Sequence, residues 1–171
     1  MPTRRQVLLG GLGATALAGL GAIGLQLRPG ALREPRRPLV ALDATGFSVI
    51  AAVADRVCPA IGDLPSAWEL EVPERVDELV GRMEPGQAAD VARALALLES
   101  PLVSVLFGGP PTPFTRLGAD DQDRVLAAWR DGRSLRRTVW RASVQLVKGA
   151  YWSDPRTWPH LGYVRPAWAT P

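Results

Sequence analysis

The chain has 171 residues and a mass of 18.4 kDa, with 20 basic side chains, 17 acidic ones and a net charge of +3. That length holds one ordinary domain, with or without a targeting segment, and argues against a two-domain enzyme. A single Cys excludes an internal disulfide and a single His excludes a multi-histidine metal site, while 47% hydrophobic residues describe a folded protein despite 17 Gly and 16 Pro.

The basic charge sits at the front. Residues 1–38 carry six arginines (Arg4, Arg5, Arg28, Arg33, Arg36 and Arg37) and one acid, Glu34, a net +5; the remainder keeps 14 basic and 16 acidic side chains, a net −2. A domain of that sign has no footprint for a phosphate backbone, so a pI near 9.7 does not mark a nucleic-acid binder here. Residues 1–25 read as a twin-arginine export signal: Arg4-Arg5 is followed by Gln6-Val7-Leu8, and no charge occurs from Val7 to Leu25. Val7 stands where Phe is common in that motif. Helical residues over 7–25 span about 28 Å, close to the hydrocarbon thickness of a bilayer, so the same run also fits an uncleaved anchor. Its six glycines (Gly10, Gly11, Gly13, Gly19, Gly21 and Gly24) weaken a helix by roughly 1 kcal/mol each against Ala and favour the signal. The twin-arginine route carries folded cargo, typically a cofactor protein or its partner. The sequence has no Gly-x-Gly-x-x-Gly after a strand, no P-loop and no Cys-x-x-Cys, so it reads as the partner.

Residues 26–42, with three Pro and four Arg and no apolar period, are expected as a linker, and 43–171 as a helical domain. A first helix is predicted from Asp43 to Cys58, with Phe47, Ile50, Ala51, Ala54 and Val57 at helical spacing, Asp43 or Thr45 as cap and Pro59 as stop. The second runs from Pro73 to Met83, burying Val76, Leu79, Val80 and Met83. The third covers Gly86 to Ser100, with Val91, Leu95 and Leu98 inward; Ser100-Pro101 breaks it before a short continuation from Leu102 to Phe107. Gly108 to Pro113 is a loop. A fourth helix, Asp120 to Asp131, carries Val125, Leu126 and Trp129 and ends at Gly132 as its C′ residue. The fifth runs from Ser134 to Trp152, with Leu135, Val139, Ser143, Leu146 and Val147 on one face. Ser153 to Pro171 is expected to be non-helical. No alternating strand pattern occurs, so the fold class is all-α: a bundle of about five helices with an irregular Trp/Pro-rich tail.

No catalytic, cofactor-binding or metal-binding residue is predicted. Asp120, Asp121 and Asp123 lack the glycine and distal Glu of a calcium loop and suit a helix start. Cys58, on an apolar face, reads as a small buried hydrophobe, with a redox or intersubunit role as the sharper alternative. His160 has no nucleophile context that would make it a general base. Arg136, Arg137 and Arg141 are either a solvated face and ion-pair partners of the Asp120–Asp123 turn, or the contact for an acidic partner surface. Tyr151, Trp152, Trp158, Tyr163 and Trp168 interleave with Pro155, Pro159 and Pro166. Such rings wrap the domain, form a partner interface, or divide between the two, since a proline-stiffened segment loses little entropy on docking.

Three stretches resemble the gluconate 2-dehydrogenase subunit 3 family. They are Ala51 to Ala60; Phe114 and Leu117 through Arg124, Leu126 and Trp129 to Arg136-Arg137 and Trp140; and Ala150-Tyr151-Trp152-Ser153-Asp154-Pro155 followed by Trp158 and Leu161-Gly162-Tyr163. Cys58 replaces a commoner aliphatic residue, Trp140 a frequent Phe, and Val164-Arg165-Pro166 the Gly-Pro that often follows the Tyr. The resemblance covers roughly residues 43–168. It implies a non-catalytic small subunit that binds a flavoprotein of the glucose–methanol–choline type, aids its maturation and supplies the twin-arginine signal for both. FAD is then expected in the partner and haem c in a third, cytochrome subunit, outside the cytoplasmic membrane. The alternative from a different class is a free-standing exported helical binding protein tethered by residues 7–25.

Overall fold

A computed structural model describes residues 29–164 together with Gly21, Gly24 and Pro166; Arg4, Arg5, Leu8 and Trp168 lie outside the described residues. Among the described residues there are six named α-helices, two 3-10 helices and no strand, an all-α bundle as expected. No helix among them is long and apolar enough to cross a membrane.

Helix α1 (Ala44–Val57) starts where Asp43 accepts a hydrogen bond from the Gly46 N–H at 2.7 Å, and ends with the Cys58 N–H on Ala54 O before Pro59. The apolar spacing marks one face, but Val49 and Val53 are as fully buried as Phe47 and Ile50. The reason is position: α1 is enclosed by α2 (Val72–Gly81), α3 (Pro85–Glu99), α6 (Leu135–Trp152) and the 3-10 turn Phe114–Arg116. Over 46–54, where neighbours surround it, the helix needs apolar or small residues all round, whereas Asp55 and Arg56 in its last turn are only partly buried.

Prolines at the first turn set the starts of α2, α3 and α4 (Pro101–Leu106), where a missing N–H costs nothing. The expected break at Ser100-Pro101 is a cap, with Ser100 Oγ accepting from the Val103 N–H at 3.2 Å. Helix α5 (Ala119–Arg130) buries Val125, Leu126 and Trp129 and packs on α6. Gly132 follows it as the C′ residue, but the left-handed backbone falls on Ser134, φ 42°. A Cβ on Gly132 would lie 2.9 Å from Arg136 Cβ, so close approach is what requires glycine there.

One expectation about the tail is corrected. Part of the tail is helical: Pro155–Leu161 forms a 3-10 helix, capped by Asp154 Oδ1 accepting from the Arg156 N–H at 2.9 Å. The described part of the linker, 29–42, has no helix but lies along the domain as a strap, and Leu42 joins the core.

Candidate functional site

The polar side chains inside the domain hold chain segments in place. On α2, the period Pro73, Val76, Asp77, Val80 turns Asp77 inward with the valines. Its carboxylate accepts from the N–H groups of Val40 (2.6 Å), Ala41 (3.0 Å) and Leu42 (2.7 Å), three strap donors that no helix or strand would satisfy. Glu74, also buried, takes the Arg36 N–H at 3.2 Å; its Oε2 has no hydrogen-bond partner among the described residues. Farther up the strap, the Arg33 N–H donates to Ser48 Oγ and the Arg33 guanidinium pairs with Asp55 at 2.7 Å. The guanidinium carbons of Arg33 and Arg36 lie 5.0 and 4.9 Å from the Trp68 ring centre, a cation–π contact from both arginines.

At the end of α3, Glu99 accepts from the Thr115 N–H at 3.0 Å and the Thr115 hydroxyl at 2.7 Å, while Thr115 Oγ1 accepts from the Ala31 N–H. Burial pushes the Glu99 carboxyl up from its ordinary value, against the two Thr115 hydrogen bonds that pull it down. Asp154 is the counterpart behind α6. The Arg156 side chain, then its N–H and the nearby Arg75, hold this carboxyl below the usual range despite burial. Arg75 reaches it from α2 at 2.6 Å, fastening the tail helix to the bundle.

The tail aromatics divide. Tyr151 is a core residue, 1% exposed, whose hydroxyl donates to Pro65 O at 2.6 Å, so it is unavailable to a partner. Its place follows from its spacing after Val144 and Val147. Trp152 and Trp158 are half-buried, with the Trp158 indole donating to Trp152 O, and Tyr163 lies edge-on to Trp158 at 5.2 Å with its outer side exposed. His160 is exposed on the same 3-10 helix.

Arg136 and Arg137 stand at the opposite end of α6. Fifteen residues of helix put Arg136 about 22 Å from Tyr151, so the structure does not bring the arginines and the tail rings into one site. Nor do the arginines pair with the Asp120–Asp123 turn: Asp123 is held by Arg56 at 2.8 Å and Asp121 by Arg124. Arg136 instead lies over the Phe107 ring, 4.8 Å from its centre. Cys58 is in the core, where burial pushes its thiol up to about 11, a protonated and weakly nucleophilic state. The Asp77, Glu74, Glu99 and Asp154 clasps were not anticipated, although the inward register of Asp77 on α2 is a signal in the helical spacing.

The cleft between α4, α5 and the start of α6 has a volume of about 240 Å³, below the usual range of small-molecule sites, and no strand among the described residues leads into a glycine-rich turn. What the fold defines is a helical domain whose buried acids serve as clasps. Over residues 44–164 the chain matches the family model of gluconate 2-dehydrogenase subunit 3, and it belongs to that family, one of subunits rather than of whole dehydrogenases. No curated protein and no solved structure matches it.

Proposed function

We propose that the chain is the non-catalytic small subunit of a membrane-associated, FAD-dependent sugar or alcohol dehydrogenase. It binds the flavoprotein subunit, aids its maturation and carries it through twin-arginine export to the periplasm or the outer face of the cytoplasmic membrane. The observation that carries this reading is the family match across the whole helical bundle, residues 44–164. It is supported by Arg4-Arg5 ahead of an uncharged run, the layout of an export signal on a chain whose interior acids are occupied as clasps. FAD belongs to the partner, and a cytochrome subunit carrying haem c takes the electrons onward. The test is to replace Arg4 and Arg5 together by Lys in the producing cell. The expected result is a complex that still forms, with the flavoprotein's dehydrogenase activity retained in the cytoplasm. A flavoprotein that reaches the periplasm without this chain overturns the export role.

A further inference from the structure

The tail end of α6 is tied down, whereas its arginine end adjoins an apolar surface that the domain leaves uncovered. Helix α4 follows the Ser100-Pro101 break and packs chiefly on α3. Leu102, Val105 and Leu106 share one face at i, i+3 and i+4, and that face points outward: Leu106 is 76% exposed, and Phe107, the next residue, 37%. Leu135, at the first turn of α6, is also half exposed. Scattered apolar residues on a surface are ordinary, but a row of four in six residues is not.

Behind this ridge lies the cleft of about 240 Å³, walled by Ser104, Phe107, Val125, Trp129, Arg124 and Arg136. Phe107 meets the Trp129 ring edge-on at 6.2 Å, and Arg136 covers Phe107 from the other element. Ser104 Oγ is buried with no hydrogen-bond partner among the described residues. Asp121 also lines the cleft but is paired with Arg124, so the charge left uncompensated beside it is basic. Helix α6 carries Arg136, Arg137, Arg141 and Lys148 and no acid. The nearest acids are already committed, Asp121 to Arg124 and Asp131 to Arg130.

We propose that the α4 ridge and the cleft behind it are the surface on which the flavoprotein subunit docks. Its matching face has an apolar centre, an acidic rim opposite the α6 arginines, and one apolar or aromatic side chain that enters the cleft. This rests on the subunit role proposed above and names the face that serves it. A second copy of the chain fits less well. A second copy brings the same arginines to the contact and no unpaired acid to meet them, since Asp121 and Asp131 are already paired, so the charges of such a contact are not complementary. A bilayer surface calls for an apolar row and basic charge but for no defined cleft, whereas an anchor residue from a protein uses one at the centre of an interface.

The experiment uses the full chain, tagged and co-expressed with the flavoprotein subunit of its own complex, with bound FAD as the readout of capture. Leu106→Glu and, separately, Arg136→Gln are each expected to lower captured flavin by about tenfold. Leu106→Ser tests the same contact without adding a charge, and thermal melting of each purified variant confirms that it is folded. Leu161→Glu, on the exposed tail helix, is expected to capture as the parent does. Ridge variants that hold the flavoprotein at parental levels overturn this face while leaving the subunit role intact. A parent chain that captures no flavoprotein overturns the role itself. A parent that is dimeric by light scattering and made monomeric by Leu106→Glu assigns the ridge to a second copy, against the proposal. Sedimentation with phosphatidylethanolamine–phosphatidylglycerol vesicles that Leu106→Glu abolishes assigns it to a membrane, also against the proposal.

Discussion

The strap before α1 and the short helix α4 treat polarity in opposite ways. The strap carries Arg33, Arg36, Arg37 and three prolines and has no helix, yet its N–H groups are taken one after another by Asp77, Glu74, Ser48 and Thr115. Helix α4 finds its backbone partners locally, in Ser100 before it and the turn 107–109 after it, and its Leu102, Val105 and Leu106 are left facing solvent. Irregular backbone must find acceptors, and buried acids supply them; a regular helix has no such need and can stand at the surface. Attachment here follows backbone hydrogen bonding more than side-chain hydrophobicity.

The largest effect is therefore expected in the strap. Asp77→Ala removes the acceptor of three N–H groups at once and should lower stability by about 3 kcal/mol, since each stranded donor costs on the order of 1 kcal/mol or more. Chemical denaturation reads the loss, and hydrogen exchange at Val40, Ala41 and Leu42 should rise together. Protected amides in the variant would mean that another group holds the strap. A smaller loss, about 1–2 kcal/mol, is expected for Gly30→Ala. A Cβ there would overlap Glu99 Oε1 and lie 2.8 Å from Thr115 Oγ1, both of which are fixed to one another. An unchanged melting temperature would show that the upper strap yields freely.

Glu99 sharpens the same comparison through pH. Burial raises its carboxyl pKa in the fold above the unfolded value near 4.3, so the folded state binds this proton more tightly than the unfolded one. Ionised Glu99 consequently weakens the fold at neutral pH, and that cost disappears as pH falls through the folded-state pKa toward 4.3. Glu99→Gln keeps an acceptor for the Thr115 N–H and removes the buried charge. The variant should be more stable than the parent at pH 7, with the difference shrinking on acidification. A gap that widens instead would show the carboxylate to be favoured in the fold.

How much of this was readable in advance differs residue by residue. The helix breaks were, because Asp43, Ser100-Pro101 and Pro73 act on their own neighbours. The packing of α1 was partly so: Phe47 and Ile50 announce a face, but no period within 44–57 tells that its middle, 46–54, is buried all round. The strap was not, since the donors Asp77 binds lie 35 to 37 residues upstream in a stretch with no period. The tail rings were half legible. Proline and tryptophan marked a rigid segment, but only the register after Val147 separates the core residue Tyr151 from the exposed Tyr163.

The smallest expected effect is the most telling about α4. Leu106 keeps three-quarters of its surface in water, so Leu106→Ser in the isolated chain should change stability by less than about 0.5 kcal/mol. Helix propensity falls by a few tenths of a kcal/mol on introducing Ser, and the small buried part of the side chain adds little to that loss. Equilibrium denaturation of parent and variant side by side checks this. A loss of about 2 kcal/mol would place Leu106 in an intramolecular contact and remove the ridge as a free surface. If the two curves coincide, an apolar side chain contributes nothing to the fold that carries it, and its chemistry is left for whatever meets α4 from outside.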